Sequence, residues 1–274
     1  MLIGVDFTSA PSPRKPIVAA IGRLAGDHVA WVERVERIAT FAGFEALIAR
    51  PGPWVGAFDF PFGLARPLVE TLGWPCEWAP LIRHYATLDR HAVTSAFDAY
   101  RAARPTGDKY ARRATELAAG AHASMKLVNP PVAWMLHEGA PRLLAAGVRM
   151  PAVHDVGADR VALEAYPGFV FRSIAERRSY KSDDMRKRTA DRELLRTKLL
   201  RALADGDNVL RVRLRVPDAI SRAAIDDASG DTLDALACVA QAAWSAMRAD
   251  EGYGLPRAVD PLEGWIACAP AALQ

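Results

Sequence analysis

Two short runs place an acid where an apolar stretch gives way to strand-breaking residues. Residues 54–64 (WVGAFDFPFGL) are almost continuously apolar up to Asp59, and Pro61 and Gly63 follow it. Such a run suits a strand buried on both faces, as at the centre of a parallel sheet. Pro and Gly end it, so Asp59 stands at the carboxyl end of a central strand, where open α/β sheets bind their ligands. Residues 1–7 (MLIGVDF) repeat the pattern with Asp6. Side by side, the two carboxylates would lie about 4.8 Å apart by backbone. They would repel unless a cation, a proton or a basic side chain stood between them, and a divalent metal ion is the sharpest of these options. Residues 160–166 (RVALEAY) offer a third acid, Glu164, just ahead of Pro167 and Gly168. Asp231 and Asp234 add a pair three residues apart, hence on one helix face. Local rules also account for that pair, with Asp231 as N-cap and Asp234 as a first-turn charge at the positive end of the helix dipole.

Several carboxylates converging on Mg²⁺ or Mn²⁺ are what two-metal phosphodiester hydrolysis needs, and hard cations take oxygen ligands. On that reading Asp6, Asp59, Glu164, Asp231 and Asp234 are the metal ligands. Asp6, Asp59, Glu164 and Asp234 are also the catalytic set. Lys126 and Lys181, with Tyr180, are candidates to steady developing charge on a phosphate. Arg188, Arg192 and Arg196 recur every four residues; such a stripe either tracks a phosphate backbone, with Arg192 binding substrate, or is a solvated helix face.

The elements that must position these groups follow from periodicity. Residues 16–23 and 28–38 alternate as strands of a meander after the first strand, and Thr40 caps a short helix over 41–49. The order is then β-β-β-α-β. From residue 65 to 159 the chain runs too long for a simple crossover, and it reads as a helical insertion within a single domain spanning 1–274. Its helices fall at 67–72, 78–88, 91–103 and 131–146, the last capped by Asn129. The middle, 104–126, is expected to be mobile or ordered by substrate. After the strand at 160–166 come helices near 169–175, 189–203 and 217–224. The last helix, 231–248, carries an apolar stripe of Leu233, Leu236, Ala237, Ala240, Trp244 and Met247, with Asp231, Asp234, Cys238 and Gln241 on another face.

Composition narrows the function classes. The chain has 274 residues, 51% of them hydrophobic, and a net charge of +3, enough for a sizeable core and compatible with a polyanionic partner without demanding one. Cys76, Cys238 and Cys268 are odd in number and far apart, which argues against a disulfide framework or structural zinc and for a reducing compartment. No apolar run approaches the ~18 residues of a membrane span, and the first residues enter a strand directly; the expectation is a soluble cytoplasmic protein. His84, His91, His122, His137 and His154 lack zinc-enzyme spacing. The G-x-S-x-G, P-loop and G-x-G-x-x-G motifs are absent.

The order of elements, with an acid on the first strand, another on the fourth and D-x-x-D on the last helix, resembles the RNase H-like fold, whose Holliday-junction-resolvase branch has such a terminal pair. More closely, GVDFTSAPSPRKP (4–16), FDFPFGL (58–64), NPPV (129–132), EAYPG (164–168), YK (180–181), GDTLDALACV (230–239) and EGWI (263–266) are similar to the domain of unknown function 429 family, predicted RNase H-like nucleases. The resemblance implies a mixed α/β sheet, three antiparallel strands followed by parallel ones, with helices on both faces. It also implies metal ligands at Asp6, Asp59, Glu164 and Asp234, with Asp231 as a further one. Asp59 departs from the glutamate that resolvase-like enzymes carry on the fourth strand.

The resulting expectation is a Mg²⁺- or Mn²⁺-dependent nuclease acting on DNA or RNA. Two alternatives compete with it: a non-catalytic binding or scaffold protein, whose acids pair with Lys and Arg of the insertion, and an actin-like phosphotransferase, suggested by Asp6-Phe7-Thr8-Ser9. A fold alone decides between none of these.

Overall fold

The computed structural model describes residues 1–176 and 178–271. Three strands open the chain, β1 (Leu2–Asp6), β2 (Ile17–Leu24) and β3 (Val29–Ile38), followed by α1 (Phe41–Ile48) and β4 (Trp54–Asp59). Thr40 caps α1 as its position before the apolar run predicts, its side chain accepting from the Gly43 amide. Helices α2 (Arg66–Thr71), α3 (Trp78–Thr87), α4 (Arg90–Ala102), α5 (Ala114–Ala119) and α6 (Val132–Ala145) separate β4 from β5 (Arg160–Glu164). Then come α7 (Pro167–Ala175), α8 (Ala190–Asp205), β6 (Arg213–Arg215), α9 (Asp218–Asp226) and α10 (Asp231–Ala246).

The six strands form one sheet in the order β5-β4-β1-β2-β3-β6. Only β2 runs antiparallel to its neighbours; β4 is parallel to both β1 and β5, and β6 is parallel to β3. Three antiparallel strands followed by parallel ones, with helices on both faces, are consistent with an RNase H-like α/β fold.

Strand alternation divides the core in two. Ile3, Val5, Trp54 and Phe58 face α1 and the helices between β4 and β5, packing with Leu81, Tyr85, Phe97 and Leu136 in one continuous cluster. Leu2, Val18, Ala20 and Ala57 face α7, α8 and α10. Helix α10 is buried on every side from Asp231 to Ala243, not only along its apolar stripe. It lies across the middle of the sheet, where a helix is rich in small and apolar residues and its buried polar groups, Asp234 and Gln241, need partners. Gly4 permits that seat: a Cβ there would stand 2.3 Å from the Ala235 carbonyl oxygen and 2.3 Å from the Val239 nitrogen. Gly4→Ala is therefore expected to lift α10 from β1 and to cost about 1–3 kcal/mol, measured by urea unfolding; an unchanged midpoint would mean the helix is not seated so closely.

Three local expectations are corrected. The stretch 104–126 contains α5, held because the Glu116 carboxylate accepts from the Arg113 and Ser124 amides. Asn129 does not cap α6: the N-cap is Pro131, and Asn129 takes a left-handed φ of 48°. Asp231 is not the N-cap of α10 either. Gly230 holds that position, and the Asp227 carboxylate receives the Thr232 amide.

Candidate active site at the sheet edge

Register brings the first two acids together. Asp6 of β1 pairs with Asp59 of β4 across the parallel ladder, and both share the parity of Leu2 and Ala57, the face that α10 covers. Asp234 lies in the first turn of α10, buried with Asp231. The segment after α7 then crosses over the start of α10, where Gly230, at a φ of 79°, leaves room: a Cβ there would stand 2.8 Å from that of Lys181. Tyr180 and Lys181 thereby reach Asp234, the tyrosine hydroxyl donating to Oδ1 and the lysine ammonium to Oδ2. The lysine side chain is 43% exposed while the carboxylate it meets is 1% exposed, so its stem lies at the surface and its charge enters the site.

The electrostatics follow from four carboxylates, Asp6, Asp59, Asp231 and Asp234, and the Lys181 ammonium. Burial, then the charges of Asp234 and Asp231, push Asp6 well above the usual carboxylate range, with Lys181 opposing. Burial and Asp234 raise Asp59 to about 7. Asp234 is raised by burial against the pull of Lys181 and Tyr180. Lys181 is held well above its ordinary value because the attraction of Asp234 outweighs the cost of its own burial.

The remaining candidates separate. Asp231 accepts from Lys15 at 3.1 Å, and the same lysine reaches Asp183 at 3.1 Å. Glu164 pairs across the ladder with Phe58 rather than Asp59, so its side chain leaves the sheet on the opposite face from Asp6 and Asp59. There Arg113 grips both its oxygens at 2.8 and 2.6 Å, and the Phe62 amide donates at 2.9 Å. Arg192 donates to the Lys181 carbonyl and Arg196, buried, to that of Tyr180. The arginine stripe on α8 thus pins the segment that carries Tyr180 and Lys181. Lys126 lies beside His122, with 3.4 Å between their nitrogens, and His122 lines a cavity of about 550 Å³ that Asp59, Glu164, Asp234 and Lys181 also line.

Residues 4–261 match the model of the family described as protein of unknown function (DUF429). The chain belongs to the DUF429 family. Comparison with curated proteins and with solved structures gives no match. In this DUF429 protein the matched region takes in Asp6, Asp59, Lys181 and Asp234, while EGWI (263–266) lies beyond it.

Whether these residues suit a metal ion depends on donor chemistry and placement. Asp6 and Asp59 are oxygen donors that draw no stabilising hydrogen bond among the described residues, and with Asp234 they outnumber the one ammonium by two charges. That donor set suits a hard dication. As placed, no three carboxylate, histidine or cysteine side chains among the described residues stand close enough to enclose an ion, and Lys181 and Tyr180 engage Asp234.

The insertion arginine expected to pair with an acid in the binding-protein reading is Arg113, on Glu164. Lys15 sits within a quoted motif but signals nothing by itself. Cys238, one turn beyond Asp234, donates its thiol to the Val5 carbonyl, and burial with the nearby Asp59 and Asp6 charges raises its pKa well above the usual range.

Proposed function

We propose that the protein is a divalent-metal-dependent phosphodiesterase acting on nucleic acid. The observation that supports this reading is the in-register pair Asp6 and Asp59, two unbonded carboxylates on one face at the carboxyl ends of central strands. Both are half-buried, and the repulsion between two adjacent carboxylates is understandable where a dication is meant to bind. Asp6 and Asp59 would hold Mg²⁺ or Mn²⁺, joined by Asp234 when Lys181 releases it. The ion would supply Lewis-acid activation of water and neutralise charge on the phosphodiester. Tyr180 keeps Asp234 oriented through its hydroxyl, and Lys181, once free of Asp234, is placed to donate to a non-bridging phosphate oxygen. The absence of paired cysteines in the sequence pattern supports a reducing, cytoplasmic setting.

A non-catalytic binding protein is the second reading, favoured by the pairing of Glu164 with Arg113 and of Asp231 with Lys15. Purified protein incubated with Mn²⁺ and single-stranded, duplex and junction DNA or RNA separates the two. Cleavage of at least one substrate is expected, falling to background in Asp6→Asn. Cleavage that persists in that variant removes the assignment, and no cleavage with any substrate favours the binding protein.

A further inference from the structure

The cavity beside the acids has a composition that a bare phosphodiester site does not require. At about 550 Å³ it falls in the range of small-ligand pockets. Asp59, Asp234 and Lys181 line it with the Glu164–Arg113 pair, and so do Phe60, Met135 and Tyr166. The lining also includes His122, which faces Lys126 and lies in the field of Arg112 and Arg172. Burial and those three cations hold the His122 imidazole below its ordinary pKa, with Glu116 opposing weakly. The guanidinium of Arg112 donates to the Ala121 carbonyl, and that of Arg172 to the Ala119 and Gly120 carbonyls. Among the described residues neither these two arginines nor Lys126 forms a salt bridge with a carboxylate. The loop at 119–126 therefore has three cations about it that hold no carboxylate, while its Ala121 and His122 line the same cavity as Asp59 and Asp234.

We propose that this cavity takes one unpaired nucleotide, its base lying against Phe60, Met135 and Tyr166 and its outer phosphate on the rim of Arg112, His122, Lys126 and Arg172. The inference rests on the phosphodiesterase reading and narrows its substrate to strands whose nucleotides leave the stack. An aromatic and thioether wall suits a base face without regard to sequence, and guanidinium and ammonium groups that hold no carboxylate suit phosphate oxygens. The helices between β4 and β5 form the far wall through Met135 and Val132 of α6. A space of this size holds one nucleotide and no stacked base pair, so a nucleotide of intact duplex must swing out to reach the acids. Substrate at a strand end, in a gap or in single-stranded form avoids that unstacking cost.

The test uses full-length Asp6→Asn protein and three fluorescent or competing probes: a 5′-phosphorylated single strand, the same sequence as a duplex closed by hairpins at both ends, and AMP. The single strand is expected to bind at least tenfold more tightly than the closed duplex, and AMP to compete with it. Met135→Trp, which fills the cavity from a half-exposed position, should weaken single-strand binding at least tenfold with an unchanged melting curve; Val132→Phe is the substitute if that variant fails to fold. Arg112→Ala and Lys126→Ala should each weaken binding and flatten its salt dependence. Which of AMP and the strand binds more tightly distinguishes a free mononucleotide from a strand as the source of the ligand. Equal affinity for the closed duplex, or a Met135→Trp protein that binds as the parent does, overturns the inference. The two readings fail separately: nucleotide binding that depends on Met135, without cleavage by protein carrying Asp6, keeps the pocket and removes the nuclease. Cleavage of closed duplex undiminished by Met135→Trp does the reverse.

Discussion

Asp59→Asn is expected to make the metal-free protein more stable at pH 8 while it abolishes cleavage. Burial and the Asp234 charge raise the Asp59 carboxyl to about 7, against an ordinary value of ~3.9 in an unfolded chain. Between those values the folded state retains a proton that the unfolded chain has released. Stability from this group is thus undiminished below about pH 4, falls as pH rises through the interval, and is reduced in full above about pH 7. Three pKa units correspond to a ceiling of about 4 kcal/mol; with Asp6 and Asp234 sharing the repulsion, a gain of about 2–4 kcal/mol is expected, or roughly 4–8 °C in melting temperature for a chain of this size. At pH 4 parent and variant should melt alike. Excess Mn²⁺ should raise the melting temperature of the parent at pH 8, as a ligand of the native state does, and should raise that of Asp59→Asn much less. A residue that lowers stability yet is needed for activity is the signature of a built binding site. An Asn variant that is no more stable at pH 8 would show the carboxylate to be satisfied within the fold, and the metal reading would lose its main support.

What could be read from the chain and what could not divides along a physical line. The pairing of Asp6 with Asp59 was legible because both acids end runs too apolar for anything but central strands, and both are followed by residues that stop a ladder. Glu164 carries the same local signature, yet it faces the other way. Whether an acid at a strand end points up or down depends on the register against the next strand, and the residue opposite Glu164 is Phe58. One position of slip inverts the face, and no local pattern reports it. The D-x-x-D pair was legible as helical, but Gly230 and Asp227, not Asp231, terminate the helix, since the turn before it folds back on its own amides. Helix α5 escaped notice because its cohesion comes from Arg113 and Glu116 bonded within a buried network. Strand β6 is different: Val212 to Val216 alternate apolar residues with arginine, a strand pattern that was readable and was passed over beside the stronger helices. The cavity wall, drawn from β4, α6 and the turn after β5, exists only in three dimensions.

The ion pair that engages Glu164, beside the other acids in one cavity, is also a point where the fold is vulnerable. Arg113 is 1% exposed, Glu116 0% and Glu164 3%. The guanidinium spends its nitrogens on both Glu164 oxygens, on Glu116 at 2.7 Å and on the Glu263 carbonyl at 2.7 Å, tying the start of α5 to the end of β5 and to the segment after residue 260. Arg113→Met leaves two buried carboxylates facing each other, a change expected to cost about 3–5 kcal/mol, a large share of a typical domain's stability. Arg113→Lys should fall between, because one ammonium cannot reproduce the planar grip on two oxygens. Adding Glu164→Gln to Arg113→Met removes one stranded charge and should recover part of the loss, with a coupling of about 0.5–3 kcal/mol in a double-mutant cycle. The same substitution decides the role of Glu164 in catalysis. If that carboxylate serves only Arg113, Glu164→Gln alone lowers the urea midpoint while activity per folded molecule stays within about tenfold of the parent, 1.4 kcal/mol in barrier. Activity that falls to background, as expected for Asp6→Asn, would mean that Glu164 leaves Arg113 for the cation during turnover, and that the buried pair is a resting arrangement of the site.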